Sequence, residues 1–187
     1  MIAAADAMSA AGGEIWVADE TALREFPPLR ARWCPRGIRH NVVISGRNGR
    51  RTLLGALRPA TGELACQDRV RSRTDDVIAF LDHLGTIRPW VPKLLIWDNA
   101  PPHHPRRVAA AAAAANITLA FLPFRSPELM PLEDLWRARK QQIAANRAYA
   151  SLDELVARAL TWLETMTPAQ RRLTCALDSG KYSWLPT

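Results

Sequence analysis

The sequence predicts an α/β fold, a mixed sheet with an antiparallel meander joined to parallel strands and helices on its faces. Three observations carry this. Strand-like segments separated by turn residues fill the stretch from Glu14 to Gln67. From Thr74 onward, helical and strand-like segments alternate, the pattern of a parallel sheet with crossover helices. The run Lys93-Leu-Leu-Ile-Trp97 is apolar almost throughout, as a central strand covered on both faces must be. At 187 residues, with 48% hydrophobic and 23% charged residues, the chain has ordinary globular composition and the length of one domain.

Each element has its own signal. Glu14 to Ala18 reads as a strand that ends at Asp19-Glu20. A Pro- and Arg-rich stretch from Phe26 to Gly37 reads as loop. Strands are expected at His40 to Ser45 and Thr52 to Leu57, joined by Gly46-Arg47-Asn48-Gly49, whose Asn-Gly pair suits a hairpin turn. A further strand at Glu63 to Gln67 follows the Thr61-Gly62 turn, making three meander strands after the first. Thr74, followed by Asp75 and Asp76, reads as an N-cap with acids where the helix dipole favours them. That helix presents Val77, Phe80, Leu81 and Leu84 on one face and ends at Gly85. Arg106 through the alanine run Ala109–Ala115 is a strong helix former closed by Asn116. Ile117 to Phe121 is the next strand, and Pro123 to Pro131 a proline loop. Helices follow from Leu132 to about Asn146, from the Ser151-x-x-Glu154 capping box to about Glu164, and from Pro168.

Charge and cysteine content narrow the function classes. The net charge is +7, and only Lys93, Lys140 and Lys181 are lysines, so arginine dominates the 25 basic residues. Such a balance favours polyanion partners, nucleic acid above all, although arginine and alanine richness also follows from GC-rich coding. The three cysteines, Cys34, Cys66 and Cys175, have neither a C-x-x-C spacing nor an even count, which argues against a disulfide framework or zinc site and suits a reducing cytosol. No apolar run reaches the roughly 18 residues of a membrane span, and the Ala-rich N-terminus has no basic region of the secretory type.

Three acids stand where chemistry is usual. Asp19 closes a strand, Asp98 ends the buried one as Trp97-Asp98-Asn99, and Glu133 opens a helix after the rigid proline loop. Ligands of open α/β sheets gather beyond the carboxyl ends of strands. Each acid alone also fits a plain structural role, since Asp caps turns and Glu133 with Arg137 forms an i, i+4 pair. In combination they match a pattern. The stretches Val17-Ala18-Asp19-Glu20-Thr21, Trp33-Cys34-Pro35-Arg36-Gly37, Trp97-Asp98-Asn99-Ala100-Pro101-Pro102-His103 and Leu122-Pro123-Phe124-Arg125-Ser126-Pro127-Glu128-Leu129-Met130-Pro131-Leu132-Glu133-Asp134-Leu135-Trp136 resemble the catalytic domain of the mariner-like DDE transposases, in the bacterial insertion-sequence branch. Between Asp98 and Glu133 lie 34 residues.

The resemblance implies an RNase H-like sheet and metal-dependent DNA strand cleavage and transfer. Asp19, Asp98 and Glu133 would be both the catalytic and the metal-binding residues, holding two Mg²⁺ or Mn²⁺ ions. Three converging carboxylates repel one another unless hard cations sit among them, so the chemistry agrees. Asn99 and His103 match the family's Asp-Asn-x-x-x-His segment, as supports of the site or as residues packing at a turn. Glu20 and Asp134 adjoin the proposed ligands but point elsewhere by side-chain direction. Arg36, Arg39, Arg47, Arg50 and Arg51 flank the meander and are candidates for contacts to the DNA backbone. Residues 14–187 would form the catalytic domain and residues 1–13 a flexible extension. The family's N-terminal helix-turn-helix region is expected to be absent from this chain, supplied by a separate half or lost. The implied partners are transposon-end and target DNA and, on DNA, a second copy, with no membrane; the implied location is the bacterial cytoplasm, at the nucleoid. The alternative is an impaired remnant that binds DNA non-specifically or regulates. It draws on Met130, which stands where these enzymes carry an asparagine whose amide could order the proline loop.

Overall fold

The computed structural model describes residues 1–38, 41–44, 46–124 and 126–185. Its centre is a five-stranded sheet in the order β3-β2-β1-β4-β5. Strands β1 (Glu14–Arg24), β2 (Arg50–Arg58) and β3 (Glu63–Arg69) are antiparallel, while β4 (Lys93–Trp97) and β5 (Ile117–Phe121) run parallel to β1. Helices α2 (Thr74–Thr86) and α3 (Arg106–Ala114) cover one face. The other carries α1 (Ile2–Ala10), α4 (Pro131–Arg139), α5 (Leu152–Thr165) and the segment from α6 (Pro168–Thr174) to Leu185. Mixed sheet and flanking helices are the architecture the sequence predicts.

The alternation of strand side chains divides the core in two. Val17, Leu23, Leu53, Leu57, Leu94 and Ile96 face α4 and α5 together with Leu132, Leu135 and Trp136. Trp16, Ala18, Leu54, Ala56, Leu95 and Trp97 face α2 and α3 together with Phe80, Leu81 and Val108. Successive residues of a strand point to opposite faces, so each apolar run on β1 and β4 feeds both cores. At the sheet edge where β1 and β4 begin, Glu14 is buried and accepts charged hydrogen bonds from Arg88 (2.5 Å) and an ion pair from Arg58 (3.2 Å). Lys93, also fully buried, donates to the carbonyls of Arg88 and Val91. These charges are paired, as burial demands.

Several expectations are corrected. β1 does not end at Asp19 but continues to Arg24, because its ladder with β2 persists after β4 has ended; Asp19 pairs with Gly55 across that ladder. The strand expected at 40–45 is not formed: Asn41 to Ile44 are irregular, and His40 and Ser45 lie outside the described residues. Among the described residues the meander therefore has two strands after β1, not three. The Asn-Gly pair makes no hairpin. The chain leaves the sheet at Glu25 and comes back to it at Gly49, where the Glu25 amide donates to the Gly49 carbonyl (3.0 Å) and the Gly49 amide donates to the Glu25 carboxylate (3.0 Å). Residues 1–13 are not a loose extension, since α1 forms there and its Ala5 is completely buried; a run rich in alanine has the propensity to do so. The α2 cap is Arg73, not Thr74, with the Asp76 carboxylate accepting from the Arg73 amide (3.0 Å).

Candidate active site

The pleat of β1 and β4 decides which acids meet. Val17, Asp19, Thr21 and Leu23 point toward α4, and on β4 the alternation Leu94, Ile96, Asp98 continues toward the same face. β4 ends at Trp97, which frees Asp98 at the tip beside the middle of β1. The third acid arrives on α4. Met130 caps that helix with its carbonyl, which accepts from the Glu133 amide (3.2 Å), and Pro131 occupies the first helical position, where its missing N–H costs nothing. Glu133 thus lies in the first turn, where the helix dipole favours an anion.

Asp19, Asp98 and Glu133 line one cleft of about 350 Å³. Asn99, Ala100 and Pro101 form one wall, and Leu122, Pro123, Phe124, Ser126, Pro127 and Met130 form the other. Asp19 is 8% exposed, and its Oδ2 is buried without a hydrogen-bond partner. Burial, and then the charges of Glu133, Glu20 and Asp98, push its carboxyl well above the ordinary range. Asp98 behaves oppositely. Burial opposes its charge, but hydrogen bonds from His103 and the Ala100 amide, with the nearby imidazolium, outweigh it and hold the carboxyl below its usual value.

His103 is almost completely buried and bridges two carboxylates. Its Nδ1 lies 2.9 Å from Asp98 Oδ1 and 3.1 Å from the Asp98 carbonyl, and its Nε2 lies 2.8 Å from Glu20 Oε1. Burial works against its charge, yet the hydrogen bonds to Asp98 and Glu20 win and lift it to about 9. Its ring packs on Trp97 with centroids 4.1 Å apart. Glu20 also accepts from Ser72 Oγ (3.1 Å) and Trp97 Nε1 (3.3 Å). Glu20 points away from the cleft, as its neighbouring position on β1 requires. Its contact with His103 is the one link beside the cleft that sequence reasoning missed. The available signal was the Asp-Glu dipeptide itself, which sends one acid to each face of a strand.

The other candidates fall as follows. Asn99 lines the cleft wall. Asp134 points out of it and binds Lys181 Nζ (2.7 Å), the Tyr182 hydroxyl (3.1 Å) and Arg137 (2.8 Å), tying α4 to the last described segment. Trp136 is core. Arg36 and Arg50 are exposed. Arg47 is paired with Glu25 (3.1 Å), and Arg51 is half-buried between Asp68 and Asp153, so both are engaged within the chain. Arg39 lies outside the described residues. Arg139, wholly buried, donates to Thr21 Oγ1 (3.2 Å) on the Asp19 face of β1, and burial lowers its pKa to about 10.

The DDE superfamily endonuclease family matches residues 14–156, which contain every residue of the cleft. The chain belongs to the DDE superfamily endonucleases. It is similar to an uncharacterized 39 kDa protein of insertion element IS630 from Shigella sonnei, 28% identical over 156 residues that make up 82% of this chain and 46% of that protein. It is also similar to the y4pE/y4sA protein of Sinorhizobium fredii, 46% identical over 41 residues, which are 22% of this chain and 30% of that one. The chain thus spans less than half the length of these relatives. In structure it resembles the Mos1 mariner paired-end complex with Mn, with a TM-score of 0.68 at 14% identity, covering 98% of this chain and 59% of that one. The catalytic core of BIV integrase matches with a TM-score of 0.53 at 15% identity, covering 90% and 99%. These likenesses confirm the RNase H-like sheet of transposase and integrase cores.

Proposed function

We propose that this chain is the catalytic domain of an insertion-sequence transposase, which cuts and joins DNA strands at the cleft formed by Asp19, Asp98 and Glu133. The observation that carries the reading is the meeting of these three acids in one cleft from three separate elements, inside a DDE endonuclease domain. Divalent metal fits the residues. Asp19 presents a buried carboxylate oxygen with no partner, and all three donors are hard oxygens of the kind Mg²⁺ and Mn²⁺ prefer. Asp19 and Asp98 would hold one ion between them, and Glu133 would complete the place of a second. Bound there, such cations supply activation of the attacking water or 3′-hydroxyl and stabilisation of the leaving oxygen in an in-line displacement.

The chain's own contribution is positional. The β1–β4 register sets Asp19 beside Asp98, and the capped α4 start presents Glu133 across from them. Burial, and then the charges of the neighbouring acids, raise the pKa of Asp19, and a cation bound there would offset both. Leu122, Pro123, Pro127 and Met130 give one side of the cleft an apolar lining, which lowers the local dielectric and strengthens the electrostatics beside it. Exposed arginines, Arg36 and Arg50 among them, would meet phosphates, which position a duplex without reading its sequence. Transposon ends and target DNA would be the substrates, engaged by paired copies.

The test is nicking of supercoiled plasmid in Mg²⁺ or Mn²⁺. Conversion to open circles that EDTA abolishes, and that Asp19→Asn, Asp98→Asn and Glu133→Gln each abolish, is the expected result. Nicking that persists in EDTA, or in all three variants, overturns the proposal.

A further inference from the structure

We propose that Glu20 and His103 form a positioning pair that fixes the Asp98 side chain, holding Oδ1 from behind so that Oδ2 is presented to the cleft. The inference rests on the reading of Asp98 as a metal ligand and adds two residues that work through it.

Asp98 is 47% exposed and stands at the free tip of β4, before the turn containing Pro101 and Pro102, where a short side chain would sample several rotamers. It does not do so freely, because Oδ1 meets His103 Nδ1 at 2.9 Å and the Ala100 amide at 3.3 Å. His103 in turn cannot swing. Its ring is buried against Trp97, and its far nitrogen is held at 2.8 Å by Glu20, which Ser72 and Trp97 anchor from two further elements. The chain Ser72–Glu20–His103–Asp98 therefore passes beyond the tip of β4, from the α2 side of the sheet to the cleft. Adjacent residues of β1 serve the same cleft in two ways: Asp19 enters it directly, and Glu20 steadies the acid opposite from behind. Such supporting hydrogen bonds prepay the entropy of ordering a ligand and set its direction.

A rival use of the same atoms is a metal ion shared by Glu20, Asp98 and His103, whose ligand atoms lie within 4.8 Å of one another. The ring geometry disfavours it. The two nitrogens point to opposite sides of the imidazole, and each already lies within hydrogen-bond distance of a carboxylate oxygen. An ion at either nitrogen would have to displace one of these carboxylates.

The experiment uses two amides that each keep half of the imidazole. The amide nitrogen of Asn overlays Nδ1, and that of Gln overlays Nε2. Mn²⁺ affinity of the whole chain is measured by electron paramagnetic resonance of free Mn²⁺, with folding checked by thermal melting. His103→Asn, which keeps the donor to Asp98 but gives up the contact with Glu20, should lose no more Mn²⁺ affinity than Glu20→Gln does. His103→Gln should lose about 10–100-fold, the usual cost of removing such a support. Glu20→Gln should weaken binding in the wild-type background and add nothing in the His103→Asn background. A merely structural histidine predicts equal losses for Asn and Gln, and that result overturns the pair. So does wild-type affinity in both His103→Gln and Glu20→Gln, or nitrogen coupling to bound Mn²⁺ in the spin-echo spectrum. Should the His103 variants fail to fold, the isosteric Glu20→Gln decides alone: unchanged affinity refutes the role. A wild-type chain that binds no Mn²⁺ refutes the metal site itself, whereas wild-type binding with unchanged variants refutes only the positioning pair.

Discussion

Adding one methyl group at Gly55 should damage both stability and the site. Gly55 is the ladder partner of Asp19, and a Cβ placed on it would lie 2.7 Å from Cζ2 and Cη2 of Trp136. Carbon atoms pack best at about 3.5–4.0 Å, so the indole must retreat by roughly 0.8 Å or more. It has nowhere to go, being 1% exposed and surrounded by core residues of β1, β2 and α5. Overpacking of this kind costs about 1–3 kcal/mol, and for a chain of this size each kcal/mol lowers Tm by about 2–4 °C. Gly55→Ala should therefore melt roughly 2–12 °C below wild type. Trp136 lies one turn beyond Glu133 on α4, so the retreat also moves Glu133 away from Asp19. Misplacement by about 1 Å can cost on the order of 10²-fold in rate, and a plasmid-nicking assay on the folded variant should show a loss of that order. Gly55→Ala combined with Trp136→Leu should recover part of the activity by vacating the space. A Gly55→Ala protein that melts within about 1 °C of wild type and nicks at the wild-type rate would refute the packing argument.

Three further outcomes follow from the geometry. Asp19 carries a raised pKa, so Mn²⁺ competes with a proton there, and affinity measured by titration should rise with pH. Asp134 is opposite in sign: burial raises its carboxyl, but Lys181 and Tyr182 outweigh that and lower it below 3.8. Its contribution to stability is thus complete above the ordinary carboxylate range and lost as pH falls through the lowered value, so the Tm difference between wild type and Asp134→Asn should vanish in strong acid. DNA binding should be weak and salt-dependent, with Kd on the order of 10⁻⁴–10⁻⁶ M. Arg50→Ala should reduce the salt slope by about one, while Arg51→Ala, whose guanidinium is already paired with Asp68 and Asp153, should leave the slope and lower Tm instead.

Much of the fold was legible because the local signals were strong and uncontested. β5 has the predicted bounds Ile117–Phe121, β4 is the predicted apolar run, and Ser151 caps α5 by accepting from the Glu154 amide (3.1 Å). The stretch at 25–49 was misread because an Asn-Gly pair signals a hairpin only where both flanks are strands. Here the register is set elsewhere, by the long β1–β2 ladder, and Gly49 meets Glu25 where the chain comes back to the sheet. The three cleft acids were legible as a spaced pattern. Glu20 was not, because its partner His103 is 83 positions away, and only the sheet brings them together. Met130 was read as a defect from the amide it lacks. In the structure its side chain is 3% exposed in the apolar core, and the loop is ordered by backbone, with the Met130 amide donating to the Pro127 carbonyl (3.0 Å). An asparagine there would exchange packing for a helix cap.

The most direct test of the central claim is a crystal structure of the chain grown with Mn²⁺, with anomalous difference density collected to locate the ions. The account predicts density in the cleft, with one ion bridging Asp19 and Asp98 and a second reaching Glu133, about 4 Å apart. A cleft without density at saturating Mn²⁺, or density centred on Glu20 and His103 instead, would contradict it.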